Sequence, residues 1–124
     1  MLPTRHRMTK SSEFRQTVKR GARSAHADLV IHLQRGYSGS EYGQAEGAKV
    51  GLIVGKSVGG AVVRHRVSRR LRHAAAEVLP RLEPVDRMVI RALPSSATAL
   101  SASLRQQLRD GIDRAEQQGR ERTR

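Results

Sequence analysis

Cysteine and tryptophan are missing from this 124-residue chain, and its only aromatic residues are Phe14, Tyr37 and Tyr42. With no thiol, disulfide scaffolds, cysteine-ligated zinc, iron–sulfur clusters and thiol catalysis are excluded. Three aromatics are too few for a base-stacking sheet of the RNA-recognition type. Long apolar runs are missing too. The best, Val50 to Val54, falls far short of the roughly 18 residues a membrane span needs. Arg5, His6 and Arg7 are followed by no apolar stretch, so no signal peptide is expected, and the default location is the cytoplasm. Acid is scarce as well: eleven Asp and Glu stand against 24 Lys and Arg, a formal charge of +13.

An excess that large on one small domain repels itself, and a polyanionic partner relieves it. Twenty of the 24 cations are arginine. Its planar fork binds phosphate bidentately and stacks on bases, which lysine cannot do. Nucleic acid is therefore the first expectation. An anionic membrane surface is the rival, but the apolar stripe that would anchor the chain lacks Trp and Phe.

Along the chain, residues 1–10 read as a basic arm. Ser11 or Ser12 can cap a helix running to Arg20, with Glu13 in its first turn, Phe14 and Val18 on its buried face, and Gly21 as the stop. Asp28 to Gln34 reads as a strand. Residues 36–47 hold a Gly-rich, flexible connection, most simply a long hairpin loop. Val50 to Val54 reads as a strand covered on both faces. A helix follows from Gly60 to Leu79, ended by Pro80. A strand follows at Arg87 to Leu93, and then Leu100, Leu104, Leu108, Ile112 and Ala115 mark one face of a last helix. Residues 119–124 read as a disordered tail. The order α-β-β-(β)-α-β-α, with one further short strand around the first loop, implies a single α+β domain over residues 1–118.

The most informative stretch is VGKSVGGAVVRHRVSRRLRH, residues 54–73. On a helical wheel Val63, Val67, Leu71, Ala74 and Val78 fall within roughly 80° of one another and form a core stripe. His65, Arg69 and Arg72 point away from it, Arg66 and His73 sit on one shoulder, and Arg64 and Arg70 flank it. Five arginines occupy residues 64–72, with no acid until Glu77. Like charges at helical spacing destabilise a helix by about 0.2–0.5 kcal/mol per pair, so packing must hold this one, and a bound anion is expected to relieve the repulsion.

Catalytic constellations are not evident. The five histidines form no metal-ligand spacing, no paired carboxylates suggest hydrolysis, and no serine has a nucleophile-elbow context. Asp110, Asp113 and Glu116 read as ordinary helix surface. GKSVGG at 55–60 has Val50 where a phosphate loop needs its first glycine, so no nucleotide cofactor is expected.

Lys56, Gly59-x-Ala61-Val62, Arg64-x-Arg66, Val67, Arg69 and Leu71-Arg72 resemble the protein subunit of bacterial ribonuclease P. That family carries a strand ending Val-Ser-Lys, then Gly-x-Ala-Val, then an Arg-Asn-Arg helix. Here Gly55 replaces the serine and His65 the asparagine. The likeness extends through Arg5, Arg7, Phe14, Gly21, Val50-Gly51-Leu52, Asp86, Met88-Val89-Ile90 and the leucine stripe, about residues 5–115.

The resemblance implies an α/β sandwich with a mixed sheet and a left-handed β-α-β crossover, against the usual right-handed rule. It implies a protein partner of a catalytic RNA, with precursor tRNA as substrate and endonucleolytic release of the 5′ leader as the reaction. The Mg²⁺ ions belong to the RNA, so no catalytic or metal-binding residue is assigned to the protein. The RNA subunit is expected on Lys56, Arg64, His65, Arg66, Arg69, Arg70 and Arg72. The leader is expected in a cleft formed by Arg5, Arg7, Lys10, Phe14, Val30 and His32. The alternative is a general RNA-binding or ribosome-associated protein without a processing role.

Overall fold

The computed structural model describes residues 2–36 and 47–122. Three helices and four strands follow in the order α1 (Ser11–Arg20), β1 (Ala22–Ala25), β2 (Leu29–Gln34), β3 (Lys49–Ile53), α2 (Ala61–Val78), β4 (Arg87–Ala92) and α3 (Ser101–Arg122). The further short strand of the expected α+β order is β1, which forms a tight antiparallel hairpin with β2. The Gly-rich connection lies almost wholly outside the described residues.

The sheet order is β1-β2-β4-β3, with β2 antiparallel and β3 parallel to β4. The expected hairpin between β2 and β3 is therefore not formed, because β4 lies between them. Burial explains the order. Met88, Val89 and Ile90 of β4 are wholly buried and need a central place, whereas Leu52 and Ile53 of β3 are only half-buried. β3 is thus an edge strand rather than one covered on both faces. Parallel pairing of β3 with β4 then requires a crossover, and α2 supplies it.

Strand alternation sorts the sheet into two faces. Leu29, Ile31, Leu33, Val50, Met88 and Ile90 point to one, where Val67 and Leu71 of α2 and Leu104, Leu108 and Ile112 of α3 complete the core. Of the predicted stripe of α2, Val67, Leu71, Ala74 and Val78 are buried, Ala75 joins them, and Val63 is only partly buried against the core. Burying each large aliphatic side chain is worth about 1.5–3 kcal/mol. That outweighs arginine repulsions of about 0.2–0.5 kcal/mol per pair.

α3 continues to Arg122, past the Gly119 at which a tail was expected. Gln, Arg and Glu are good helix formers, and each added turn gains backbone hydrogen bonds without a new nucleus. The N-terminal segment also departs from expectation. Instead of an arm, it docks: Leu2 and Met8 are buried, and the Met8 amide donates to the Val50 carbonyl at 2.9 Å. Arg7 bridges Val50 in parallel fashion, so the segment covers the free edge of β3.

α1 crosses the opposite face over β2 and β4. It begins after Lys10, which is extended and gives no side-chain cap, so neither Ser11 nor Ser12 serves as one. Its buried residues are Glu13 and Thr17, not Phe14 and Val18, which are half-buried. The reason is Arg87. This arginine of β4 is 1% exposed and donates from Nε to Glu13 Oε2 at 2.9 Å. A buried guanidinium needs a counter-ion, and that requirement turns Glu13 inward. Next to it, buried Asp86 accepts from Arg35 Nη1 at 2.7 Å and from the Glu83 amide at 2.8 Å.

His32 lies on the same face as Arg87 and is 4% exposed. Its Nδ1 has no hydrogen-bond partner among the described residues. Burial first, and then the charges of Arg23 and Arg91, hold its pKa below the ordinary 6.5. His26 is lowered too, by burial first and then by Arg114, against an opposing pull from Asp110.

Two outcomes follow. Glu13→Ala removes a carboxylate partner of a buried arginine and is expected to cost about 1.5–3 kcal/mol in urea unfolding, whereas Glu13→Leu combined with Arg87→Met recovers most of that loss. The lowered histidines mean that the unfolded chain binds more protons as pH falls through 6.5, so stability is full above that value and declines below it. His32→Leu is expected to flatten the decline, measured as the urea midpoint from about pH 8 to about pH 5.

Candidate nucleic-acid interface

α2 emerges from a turn at Gly55–Gly60 in which Val58 is buried and Lys56 is exposed. The core stripe fixes its rotation, so His65, Arg66, Arg69 and His73 are exposed while Arg64, Arg70 and Arg72 are half-buried. Arg70 donates from Nη1 to the Ala99 carbonyl at 3.1 Å, which leaves its charge uncompensated. The Nε of Arg64 is buried without a partner. Among the described residues, no carboxylate makes an ion pair with any of the five arginines. Glu77, near the helix end, faces Arg105 at 3.6 Å instead. All seven expected residues of this surface therefore lie on one helix and the turn that leads into it.

The acids are committed elsewhere. Arg35 joins Asp86 to Glu116, and Arg81 joins Asp113 at 2.6 Å and Glu116 at 3.3 Å. The hydrogen bond to Asp113 is the main cause that raises the Arg81 pKa further. Asp113 and Glu116 thus tie α3 back to the ends of β2 and α2 through Arg35 and Arg81, rather than serving as plain surface.

A second surface lies between α1 and the edge of the sheet. A cavity of about 570 Å³ is lined by Ser11, Phe14, Arg15, Val18, Lys19 and Ile53. Its floor exists because position 51 is glycine. A Cβ there would collide with the Phe14 ring and stand 3.0 Å from Met8 Sδ. The ring therefore packs closely against the β3 backbone at Gly51 and remains partly exposed.

The expected cleft residues do not all meet here. Phe14 lines the cavity, and Lys10 is exposed at the start of α1. Val30 and His32 lie on the sheet face under α1 but are 6% and 4% exposed, since α1 crosses above β2. The opening consequently lies towards β3. Arg5 is exposed on the turn beyond that edge, where its carbonyl accepts from Lys49 Nζ at 2.5 Å and its Nε faces His6 Nε2 at 3.2 Å. Arg7 lines a smaller groove of about 210 Å³ together with Phe14 and Arg72.

Sequence reasoning passed over several cations near this cleft. Arg15 and Lys19 are four apart on the exposed side of α1, one residue after Phe14 and Val18. Arg23 and Arg91 alternate onto the same face as His32 and are exposed. Helical spacing and strand alternation were the signals that could have found them.

Among the described residues, no group of three or more His, Asp or Glu side chains is placed to hold a metal ion. Likewise no described helix is long and apolar enough to cross a membrane.

Comparison with known proteins places these surfaces in context. Residues 2–116 match the family model described as Ribonuclease P. The chain is 86% identical over 115 residues to the ribonuclease P protein component of Mycobacteroides abscessus, covering 93% of this chain and 91% of the relative. It is 57% identical over 108 residues to that of Mycobacterium avium, covering 87% and 89%. Among solved structures, the RNase P protein of Staphylococcus aureus superposes with a TM-score of 0.71 at 17% identity, covering 89% of this chain and 94% of that one. The Thermotoga maritima protein gives 0.68 at 16%, covering 87% and 96%. The fold thus recurs in distant sequences. The near relatives and the family model carry the assignment itself: this chain belongs to the ribonuclease P protein family.

Proposed function

We propose that the protein serves as the RNA-binding partner of a catalytic ribonuclease P RNA in the removal of 5′ leaders from precursor tRNA. The observation that carries this reading is the α2 surface, on which five arginines within residues 64–72 have no carboxylate partner among the described residues. Folding has left that charge uncompensated while placing acids against Arg35, Arg81 and Arg87. A polyphosphate backbone is the compensating partner such a face fits. The RNA subunit occupies Lys56 and the arginines of α2, with His65 among them.

The cavity beside Phe14 takes the leader. Its apolar floor of Phe14, Val18 and Ile53 accommodates unstacked bases, and Arg15 and Lys19 hold the phosphates. A single-stranded leader fits better than a duplex, because a duplex does not present base faces to such a floor. The protein supplies no general acid, base or nucleophile in this scheme. Its cations screen phosphates that crowd together when substrate and RNA subunit meet, which lowers the Mg²⁺ that the RNA needs.

The deciding experiment is cleavage of precursor tRNA by a bacterial ribonuclease P RNA at low Mg²⁺, with and without this protein. Strong stimulation that grows with leader length is expected. Tight binding to any RNA without stimulation would instead indicate a general RNA binder. With ~6–8 phosphate contacts, log affinity for the RNA subunit should fall with log salt by roughly 0.7–0.9 per contact, and a flat dependence would contradict the picture. Arg66→Ala is expected to weaken RNA binding and lower the salt slope by about one contact without shifting the melting temperature.

A further inference from the structure

Two large apolar side chains stay in solvent among the described residues: Val62 is 80% exposed and Leu100 is 73% exposed. Leu100, the first residue of the expected α3 stripe, is thus outside the core, which that helix joins at Leu104. Single exposed apolar residues are common on protein surfaces. These two, however, share one line. Val62, Arg66 and Arg70 stand at i, i+4 and i+8 on α2 and form a ridge along about 12 Å of helix axis. Arg70 donates from Nη1 to the Ala99 carbonyl, so Leu100 is one residue from the group that Arg70 holds. Val62 therefore stands at one end of the ridge and Leu100 adjoins the other, with two arginines between.

Neither residue serves the fold where it stands. Leu100 immediately precedes α3, and its carbonyl accepts from the Leu104 amide at 3.1 Å, the first hydrogen bond of the helix. It occupies the N-cap, where leucine offers nothing to the first amides and serine, aspartate or asparagine would accept from one. Val62 sits in the first turn of α2, where a β-branched side chain is a poorer helix former than alanine and here buries little. Both positions give up local stability to keep an apolar surface in water. Departures of that kind from local preference are expected at functional positions.

The charges between them select the partner. Neither Arg66 nor Arg70 makes an ion pair with a described carboxylate, and a polyanion is the complement they fit. A paired RNA helix would satisfy the arginines with phosphate, but its shallow groove presents hydroxyl groups and the edges of stacked bases, with no apolar face for valine or leucine. Unpaired nucleotides do present base and sugar faces. We propose that Val62 and Leu100 are specificity contacts that pack on unpaired nucleotides of the RNA subunit, on either side of the phosphates held by Arg66 and Arg70. The inference rests on the proposed placement of that RNA on α2. It adds a component of affinity that is apolar and independent of salt.

The test measures binding of the full chain to a bacterial ribonuclease P RNA, and to a fully paired RNA duplex, across a range of salt concentrations. Val62→Ala and Leu100→Ser are each expected to weaken binding to the ribonuclease P RNA by about fivefold. The slope of log affinity against log salt stays as in the wild type, because no charge is removed. Binding to the duplex is unchanged. Val62→Ile keeps the apolar surface and keeps the affinity. Leu100→Ser also supplies the missing cap, so its melting temperature should rise by about 2 °C or more while its RNA affinity falls. A residue that merely supported the fold would move both in the same direction.

Unchanged affinity for the ribonuclease P RNA in either variant would overturn the proposal. An equal loss on the duplex, or a lowered salt slope, would also overturn it, by assigning the effect to the phosphate contacts. A fall in the melting temperature of Leu100→Ser would do the same, by making Leu100 a support of α3. If Arg66→Ala leaves binding of the ribonuclease P RNA intact, the placement of that RNA on α2 beneath the proposal fails instead.

Discussion

A fully buried arginine on the central strand sets most of the geometry of this protein. Arg87 brings a permanent charge into the sheet, and it is satisfied by Glu13 and by the carbonyls of Asp86, Pro84 and Gly47. Three strands end in one row here, since Gln34, Arg87 and Lys49 are cross-strand neighbours. The hub therefore receives chain from both sides of the Gly-rich connection: Gly36 donates to Asp86, and Gly47 accepts from Arg87. It also sets the rotation of α1. With Glu13 drawn inward, Phe14 is turned towards β3, and the opening beside it becomes a cavity instead of core.

The same economy of acid explains the α2 surface. A helix with five arginines in nine residues would not hold alone, given its mutual repulsion and the cations near its positive N-terminal end. Val67, Leu71 and Val78 hold it by burial against the sheet and α3. Because apolar packing supplies the stability, no acid is needed on the outer face to support the helix. The few acids available are placed where buried or structural arginines demand them.

Sequence periodicity made α2 and α3 legible, since both carry an uninterrupted apolar stripe at helical spacing. The arginine face followed from the same wheel. The strand order was not legible, because parallel pairing across a helix leaves no local signature, and an edge strand as apolar as β3 reads like a central one. The N-terminal segment looked like an arm because its cations outnumber Leu2 and Met8, the two residues that anchor it. The inward face of α1 was misread for a related reason: a helical pattern points to Phe14 and Val18, and nothing nearby announces that Glu13 has a partner at position 87. Strand alternation put Val30 and His32 on the face under α1, but it does not show that α1 buries them there.

The allocation of acids has a kinetic side. Asp113, Glu116 and Asp86 gather with Arg35 and Arg81 around the C-terminal half of α3, while the outward face of α2 has only cations until Glu77. Charge so divided gives the molecule an electric dipole as well as a net charge. In the field of a polyanion, a dipole exerts torque before contact, so the protein turns its arginine helix forward while still diffusing. The orientational search that ordinarily slows docking is thereby shortened, most of all at low ionic strength.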